Sequence, residues 1–96
     1  MKIIDFSAKN AVHMIGIGGC SMSSIAKYLL SCGWDVSGSD VFQTPTTKEL
    51  SLLGCRIFIG HSVSNLPKNR CFVIYNSAIK TDNVEVVEAK KRGLFV

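Results

Sequence analysis

The feature that most constrains the fold is a repeated order of segments, in which a short apolar stretch is followed by a helical stretch and a glycine. The glycines that close the helical stretches are Gly33, Gly54 and Gly93. After each of them the chain becomes apolar again, as expected where a glycine ends a helix and a strand follows. Strands that alternate with helices of about a dozen residues form β-α-β units with parallel strands. The sequence therefore predicts an α/β fold in which an open parallel sheet lies between two layers of helices.

Apolar runs locate the strands, and the spacing of apolar residues locates the helices. The predicted strands occupy residues 11–17, 34–37, 55–59 and 71–75. The apolar stripes of the three predicted helices consist of Met22, Ile25, Ala26, Leu29 and Leu30 in the first, Leu50 and Leu53 in the second, and Val84, Val87 and Ala89 in the third. Residues 61–70 are predicted to form a polar connection that contains one helical turn.

Capping signals fix where two of the helices begin. Thr44-Pro45 is a favourable start for the second helix, with Thr46 and Glu49 as a capping box. Asp82 or Asn83 is expected to cap the third helix. Residues 94–96 have the character of a fifth strand, so the sequence is expected to be a piece of a longer protein.

Length and composition allow one domain and exclude several classes of protein. A chain of 96 residues has room for a single core, and its content of 47% apolar and 19% charged residues is not that of a disordered chain. The apolar runs have the length of strands, and Asp5 interrupts the first of them, so neither a membrane span nor a signal peptide is predicted. A cytoplasmic domain over residues 11–96, with residues 1–10 as an extension, is the expectation.

The charged residues and the cysteines predict neither a nucleic-acid site nor a metal site. The formal net charge is +4, but the longest basic run is residues 90–92, at the expected end of a helix, where cations favour the helix dipole. The four cysteines are Cys20, Cys32, Cys55 and Cys71. They form no C-x-x-C pair, so zinc is not expected, and buried reduced thiols are.

A glycine-rich loop between the first strand and the first helix predicts an anion site. Gly16 permits a tight turn, and Gly18 lets the backbone approach a ligand, so that a branched side chain at Gly18 is expected to occupy the ligand's place. The free N–H groups from Gly19 to Met22 would face that ligand at the positive end of the helix. The first Lys or Arg after the loop is Lys27, so the anion would be held by N–H groups and the hydroxyls of Ser21 and Ser23. A bridging diphosphate suits such a loop, and the G-x-x-x-x-G-K-[ST] loop of ATP sites is absent from the 96 residues.

Polar residues also follow the other three predicted strands, where open α/β sheets bind their ligands. Asp40 stands where an acidic residue commonly bonds a ribose hydroxyl, although a turn aspartate is an alternative. His61 is a candidate contact to base or sugar, with a plain turn residue as the alternative. Asn76 and Ser77 end the fourth strand and favour a ligand role. His13, near the start of the first strand, is predicted to be structural and far from the site, and the side chain of Met22 to belong to the core.

Taken together, these motifs make the sequence similar to the N-terminal domain of the Mur ligases, the amide-forming enzymes of peptidoglycan synthesis. The matching stretches are residues 13–23, 36–40, 54–61, 75–79 and 82–83. The resemblance implies a Rossmann-like domain that binds the UDP part of UDP-N-acetylmuramate. It implies diphosphate contacts from Gly18, Gly19, Cys20, Ser21, Met22 and Ser23. It implies that Ser39, Asp40 and His61 face the uridine, with Asn76, Ser77 and Ala78 near the same pocket.

The same resemblance implies that this piece binds substrate without catalysing a reaction. ATP, magnesium and the L-alanine that is added would be bound by domains outside these residues, so neither a catalytic residue nor a cofactor is expected within them. Two positions depart from the family pattern: Ser21, where glycine is usual, and Asn76, where serine is common.

Three alternatives remain open from the sequence. An NAD(P)-binding half of an oxidoreductase would share the glycine loop and Asp40, although the Gly18-Gly19 pair and the Gly60-His61 step favour the ligase domain. A regulatory nucleotide-binding module is a second possibility. The related ligase that recycles a muramyl tripeptide is a third, because the added substrate would be chosen by other domains.

Overall fold

The computed structural model of the chain describes residues 10–94, in which strands and helices alternate. The strands are β1 (Ala11–Ile15), β2 (Asp35–Asp40), β3 (Arg56–Ile59) and β4 (Phe72–Tyr75). The helices are α1 (Cys20–Ser31), α2 (Pro45–Leu52) and α3 (Val84–Lys91), and a single 3-10 turn spans Val63–Asn65. The predicted helical turn in the connection after β3 is therefore present.

The described strands form one parallel sheet in the order β3-β2-β1-β4. The chain leaves β1 toward β2 and later returns to the other side of β1 as β4, so the strand order reverses between β1 and β4. In open sheets of this kind, the crevice at the carboxyl end of such a reversal is where ligands bind. The α/β prediction is confirmed, and with it the parallel order of the strands.

Helices cover both faces of the sheet, which gives three layers. Val12 and Met14 of β1 pack on one side in a buried cluster with residues of α1 and α2, such as Ala26 and Leu50. Ile15 packs on the other side in a second cluster with Val86 and Ala89 of α3. Side chains alternate along a strand, so β1 contributes to both cores and is buried on both faces.

Gly38 lies at the centre of β2, opposite Met14 of β1. A Cβ at this position would lie 2.5 Å from Cδ1 of Ile17 and 2.7 Å from the carbonyl oxygen of Met14. The side chain of Ile17, which follows β1, therefore packs directly on the backbone of β2. This contact anchors the start of the glycine loop to the neighbouring strand.

Several predicted apolar positions are exposed. Ile25 is 41% exposed, Leu53 55%, Val84 49% and Val87 50%. Of the predicted stripe of α3 only Ala89 is buried, and the other buried residues of this helix are Glu85 and Val86. Short helices that cover only part of a sheet bury a narrow face, and hydropathy alone did not identify that face correctly.

Several predicted boundaries differ from the structure, and the starts of β2, β3 and β4 each lie one residue later than predicted. β1 ends at Ile15, because Gly16 has φ +82° and starts the turn there. β2 continues to Asp40, beyond the predicted end at residue 37. The capping box of α2 is formed by Thr44 and Thr47 and not by Thr46 and Glu49. The prediction of a cap on α3 is confirmed for Asn83, whose side chain accepts a hydrogen bond from Glu85 N.

Some predictions fall outside the described residues. These are the extension over residues 1–10, except for Asn10, and the fifth strand, of which only Leu94 is described and is not part of a strand. None of the helices within residues 10–94 is both long and apolar enough to cross a membrane.

Candidate functional site

The four segments that follow the strands meet at the carboxyl edge of the sheet. Backbone hydrogen bonds join them in pairs: Gly16 N donates to Ser39 O over 2.8 Å, and Gly60 N donates to Asp40 O over 2.7 Å. On the other side of β1, the side chain of Ile79 lies against Gly16, 3.0 Å from where a Cβ would be. The edge therefore brings together the segments around Gly16, Asp40, Gly60 and Ile79, as the sequence predicted.

The N-terminus of α1 opens onto this edge with its first N–H groups free. Gly19 is the N-cap residue and makes no side-chain capping hydrogen bond. Ser23 N, in contrast, donates to Gly19 O over 2.8 Å. The backbone N–H groups of Cys20, Ser21 and Met22 have no acceptor within residues 10–94. Three donors at the positive end of a 12-residue helix form an anion-binding arrangement.

The glycine loop before α1 is held in place by Asp40. Gly18 N donates to Asp40 Oδ2 over 2.8 Å. A Cβ on Gly18 would lie 2.7 Å from that same oxygen and 3.1 Å from Cγ2 of Thr47. The expectation that a side chain at Gly18 would occupy the ligand's place is therefore wrong, because it would point at Asp40 and α2. Gly18 is required for the contact between the loop and the end of β2.

The carboxylate of Asp40 binds backbone on both sides. Besides Gly18, it accepts a hydrogen bond from Val41 N on Oδ1 over 2.8 Å. The residue is half-buried. A carboxylate that accepts two N–H bonds fixes the two chain segments relative to each other, and its remaining lone pairs stay available to a ligand hydroxyl.

Three of the other predicted contact residues direct their side chains away from the surface. Met22 is buried in the core beneath α1, which confirms the expectation for its side chain. Ser23 is also buried, and its hydroxyl donates to Cys20 O over 3.0 Å, so it is not the free phosphate donor that the sequence suggested. Ser39 is fully buried and does not face the surface directly. Cys20 and Ser21 are exposed at the start of the helix.

A buried carboxylate that the sequence analysis missed lies beneath the site. Glu85, in the first turn of α3, is fully buried. Its Oε1 accepts hydrogen bonds from His13 Nε2 over 2.6 Å and from Ser39 Oγ over 2.8 Å. Its Oε2 accepts from Ser62 N and from Asn65 Nδ2, each over 3.0 Å. The four donors come from β1, β2 and the segment after β3, so Glu85 ties two strands and that segment to α3.

These hydrogen bonds keep Glu85 ionised. Burial alone would raise the pKa of the carboxyl group, because it disfavours the charge. The four hydrogen bonds outweigh burial and lower the pKa to about 2. Glu85 is therefore a carboxylate at neutral pH, with all of its nearest donors supplied by the protein.

The structure corrects the placement of His13 and connects it to His61. His13 lies in the middle of β1 and is fully buried, with Nδ1 2.8 Å from Ser37 Oγ and Nε2 bonded to Glu85. It is structural, as predicted, but it is not remote from the site. His61 Nδ1 lies 2.9 Å from Ser39 Oγ and 3.4 Å from Glu85 Oε2. The sequence did contain a signal for Glu85: a histidine in a strand that is buried on both faces needs a buried hydrogen-bond partner.

The segment after β4 lies at the surface of the same edge. Asn76, Ser77 and Ala78 are all exposed. The Oδ1 atom of Asn76 accepts from Ala78 N over 3.0 Å, so Asn76 shapes its own turn. Its amide nitrogen and the hydroxyl of Ser77 remain at the surface next to the glycine loop.

Two of the basic residues are engaged by acidic side chains, and the cysteines form no disulfide. Lys27 pairs with Glu49 of α2, and Arg92 pairs with Glu88 over 2.8 Å. The cysteines are unpaired thiols, and burial raises the pKa of Cys55 to about 11, whereas Cys20 is exposed and departs from the predicted burial. Within the described part of the chain, no group of three or more histidine, cysteine or acidic side chains could hold a metal ion.

Comparisons with known proteins match the chain to one family. The family model described as "Mur ligase family, catalytic domain" matches residues 11–96. The chain is 47% identical over 83 residues to the UDP-N-acetylmuramate–L-alanine ligase of Sulfurihydrogenibium sp., covering 86% of this chain and 18% of that protein. It is 43% identical over 94 residues to the ligase of the same name from Acetivibrio thermocellus, covering 98% of this chain and 20% of the relative.

A solved structure agrees with these sequence matches. The crystal structure of a murein peptide ligase from Psychrobacter arcticus superimposes with a TM-score of 0.79 at 28% identity, covering 90% of this chain and 18% of that one. The chain therefore spans about a fifth of the length of the proteins it matches.

Proposed function

Because the chain belongs to the Mur ligase family, we propose that residues 11–96 bind the UDP half of UDP-N-acetylmuramate on behalf of an ATP-dependent ligase that adds L-alanine to it. The relatives with 43–47% identity carry the name of that ligase. The observation that carries the proposal is the uncapped N-terminus of α1, which opens onto the carboxyl edge of the sheet beside the reversal of strand order.

The diphosphate binds at the start of α1. The N–H groups of Cys20, Ser21 and Met22 donate to its oxygens, and the helix dipole favours its negative charge. The exposed hydroxyl of Ser21 adds a hydrogen-bond donor that the glycine usual at this position in the family would not provide. Gly18 and Gly19 shape the loop, while the buried side chains of Met22 and Ser23 hold the helix in place.

The uridine lies toward β2 and β3. Asp40 offers its free lone pairs to a ribose hydroxyl, and His61 offers a ring nitrogen to the base or sugar. Ser39 contributes through its hydrogen bond to His61. Asn76, Ser77 and Ala78 border the site on the other side of β1, where the rest of the sugar nucleotide would extend.

The chemical step belongs to parts of the enzyme other than these 96 residues. The P-loop that holds ATP phosphates in many enzymes contains a lysine, and the present glycine loop contains none. The first lysine along α1, Lys27, pairs with Glu49. ATP and magnesium would bind elsewhere in the full-length enzyme, as would L-alanine. We therefore expect the chain alone to bind the nucleotide and to form no amide bond. The cytoplasm, where nucleotide-activated sugars and ATP occur together, is the proposed location.

One observation supports a second candidate. The structural match to a murein peptide ligase supports, as a second candidate, the related ligase that recycles a muramyl tripeptide. Its 28% identity is lower than the 47% reached with an alanine-adding ligase, so the alanine-adding function is preferred.

Isothermal titration of the chain with UDP-N-acetylmuramate and, separately, with NAD tests the proposal. Both ligands contain a diphosphate, so a difference between them reports on recognition of the uridine side. We expect measurable heat with the uridine nucleotide and at least about tenfold weaker binding of NAD, the equivalent of one or two hydrogen bonds. Preferential binding of NAD would contradict the proposal and support an oxidoreductase domain.

A further inference from the structure

Glu85 is bound to two parts of the candidate site at the same time. Its Oε1 accepts a hydrogen bond from the hydroxyl of Ser39, at the end of β2. Its Oε2 accepts the N–H of Ser62 and the amide of Asn65, and the same amide nitrogen also donates to Gly60 O over 2.8 Å. The segment 60–65, which carries His61, is therefore folded around this one carboxylate.

The direction of these hydrogen bonds determines where the proton of His61 resides. A carboxylate only accepts hydrogen bonds, so the hydroxyl of Ser39 uses its single O–H to donate a hydrogen bond to Glu85. The oxygen of Ser39 can then only accept from His61 Nδ1, 2.9 Å away. The second carboxylate oxygen, 3.4 Å from the same nitrogen, also favours a proton there. In neutral His61 the proton is consequently on Nδ1, and Nε2 carries a lone pair.

The surroundings of His61 leave Nε2 for a ligand. The side chain is 17% exposed, and Nε2 has no hydrogen-bond partner within residues 10–94. The other ionisable groups of this cluster are His13, from β1, and Glu85, from α3, and both are directed to each other beneath the sheet edge. Asp40, from β2, is bonded to Gly18 and Val41.

We propose that Glu85 is a positioning residue for the nucleotide site. Through Ser39 it holds His61 with the proton on Nδ1, so that Nε2 accepts a hydrogen bond from an N–H or O–H of the nucleoside. Through Ser62 and Asn65 it fixes the segment that carries His61. The proposal rests on the proposed function insofar as the nucleoside is the ligand. Glu85 itself would contact no ligand, but it would determine that His61 binds hydrogen-bond donors of the ligand.

The first test is the ¹⁵N spectrum of the histidine rings in the wild-type chain at about pH 8, above the usual histidine pKa. We expect the Nδ1 of His61 to have the shift of a protonated nitrogen and Nε2 that of an unprotonated one. A proton on Nε2, or an averaged mixture of the two tautomers, would overturn the proposal. This measurement needs no variant and so does not depend on any variant folding.

The second test compares Glu85→Gln with Glu88→Gln, which lies on the same helix and pairs with Arg92 at the surface. A glutamine offers one oxygen and one NH₂ group, so one pair of donors loses its acceptor. We expect Glu85→Gln to lose the Nδ1–H preference of His61 and to bind UDP about tenfold more weakly, and Glu88→Gln to change neither. UDP affinity that is unchanged in a folded Glu85→Gln chain would overturn the proposal.

Ser39→Ala provides the test if Glu85→Gln does not fold. It removes only the hydroxyl between Glu85 and His61, while the other three donors to Glu85 remain. A shift of the His61 tautomer population in this variant supports the proposal, and an unchanged tautomer contradicts it. If the wild-type chain shows the expected tautomer and yet binds no UDP, the control of His61 by Glu85 is supported and the proposed nucleotide function fails.

Discussion

At the scale of single residues, two carboxylates shape the candidate site in different ways. Asp40 is half-buried and binds the N–H groups of Gly18 and Val41, which leaves lone pairs at the surface. Glu85 is fully buried and its nearest donors are all protein groups. We propose that the first contacts the ligand and that the second holds other residues of the candidate site in place.

The lowered pKa of Glu85 predicts that the folded chain loses stability in acid. Its pKa is about 2 in the folded chain and 4.5 as the ordinary value, so the carboxylate stabilises the fold above about pH 4.5. As the pH falls toward 2, the unfolded chain takes up this proton first, and the free energy of unfolding should decrease by on the order of 3 kcal/mol. Urea unfolding monitored by circular dichroism, at pH values from about 6 to about 2.5, measures this loss.

Glu88→Gln and Glu85→Gln provide the comparison for this prediction. Other carboxyl groups also titrate in this range, so the informative quantity is the difference between the two variants. Glu88→Gln should retain the acid-dependent loss, whereas Glu85→Gln should be less stable already at neutral pH and change less on acidification. Equal acid dependence in the two variants would show that Glu85 is not the group responsible.

The residues of this network also mark a limit of prediction from the sequence. Asp40 and His61 were predicted as ligand contacts because each follows a predicted strand. Glu85 was not, because an acidic residue in the first turn of a helix is ordinary and most often exposed. Its partner His13 is 72 positions away, so only the fold brings the two together.

At the scale of elements, the proposed diphosphate site depends on the uncapped N-terminus of α1. Cys20 is the first residue of this helix and follows Gly19, which has φ −65° and ψ 155°. Proline is tolerated at a first helical position, and the residue before a proline prefers this extended conformation. A proline at position 20 therefore removes one N–H donor without disturbing the helix.

Cys20→Pro should weaken UDP binding while the chain stays folded. The loss of one hydrogen bond to a charged group corresponds to about 1.5–3 kcal/mol, or roughly ten- to a hundredfold in the dissociation constant. Cys20→Ala, which keeps the N–H and removes the thiol, is the matched control and should bind as the wild type does. Titration calorimetry with UDP measures the affinity of both variants. If Cys20→Pro and Cys20→Ala bind UDP equally well, the diphosphate does not bind at this helix.

The start of α2 shows how sequence and structure can differ within one element. The proline and the threonine before it were correctly interpreted as a helix start, but Thr44 and Thr47 form the capping box, with hydrogen bonds of 2.8 and 3.2 Å. The glutamate that suggested a box with Thr46 instead pairs with Lys27 of α1. A capping signature identifies the region of a helix start more reliably than its residue.

Thr44→Ala and Thr46→Ala test this assignment. Removal of a capping hydroxyl costs about 0.5–2 kcal/mol, so Thr44→Ala should lower the free energy of unfolding by roughly 1 kcal/mol. Thr46→Ala should change it by less than about 0.5 kcal/mol, as is usual away from such features. Chemical unfolding of the two variants under identical conditions is sufficient, and a larger loss from Thr46→Ala would contradict the observed cap.

At the scale of the whole molecule, the order of the elements and the edge where the site lies follow from the sequence. Glycines that end helices and apolar runs that follow them determine a parallel sheet, and a parallel sheet places all strand ends on one side. The buried faces of the short helices could not be predicted from the sequence, as the exposure of Val84 and Val87 shows. Which face of α3 is covered depends on the position of Glu85 over β1 and β2, a long-range arrangement that local hydropathy does not contain.

Under the proposed function, the two halves of the nucleotide bind at different parts of this edge. The N–H groups of Cys20, Ser21 and Met22 suit the diphosphate, and the segment that carries His61 suits the nucleoside. Separate ligands that contain one or both halves can therefore distinguish the two parts.

The most direct test is a titration of the ¹⁵N-labelled chain with UDP and with uridine, followed through the backbone amide signals. UDP should shift the amides of residues 20–22 and those around His61, whereas uridine should shift the amides around His61 and leave residues 20–22 unchanged. The amides of Lys90 and Lys91, at the basic end of α3, should not respond to either ligand. Shifts induced by UDP that fall on that basic end, or that leave residues 20–22 unaffected, would contradict the account.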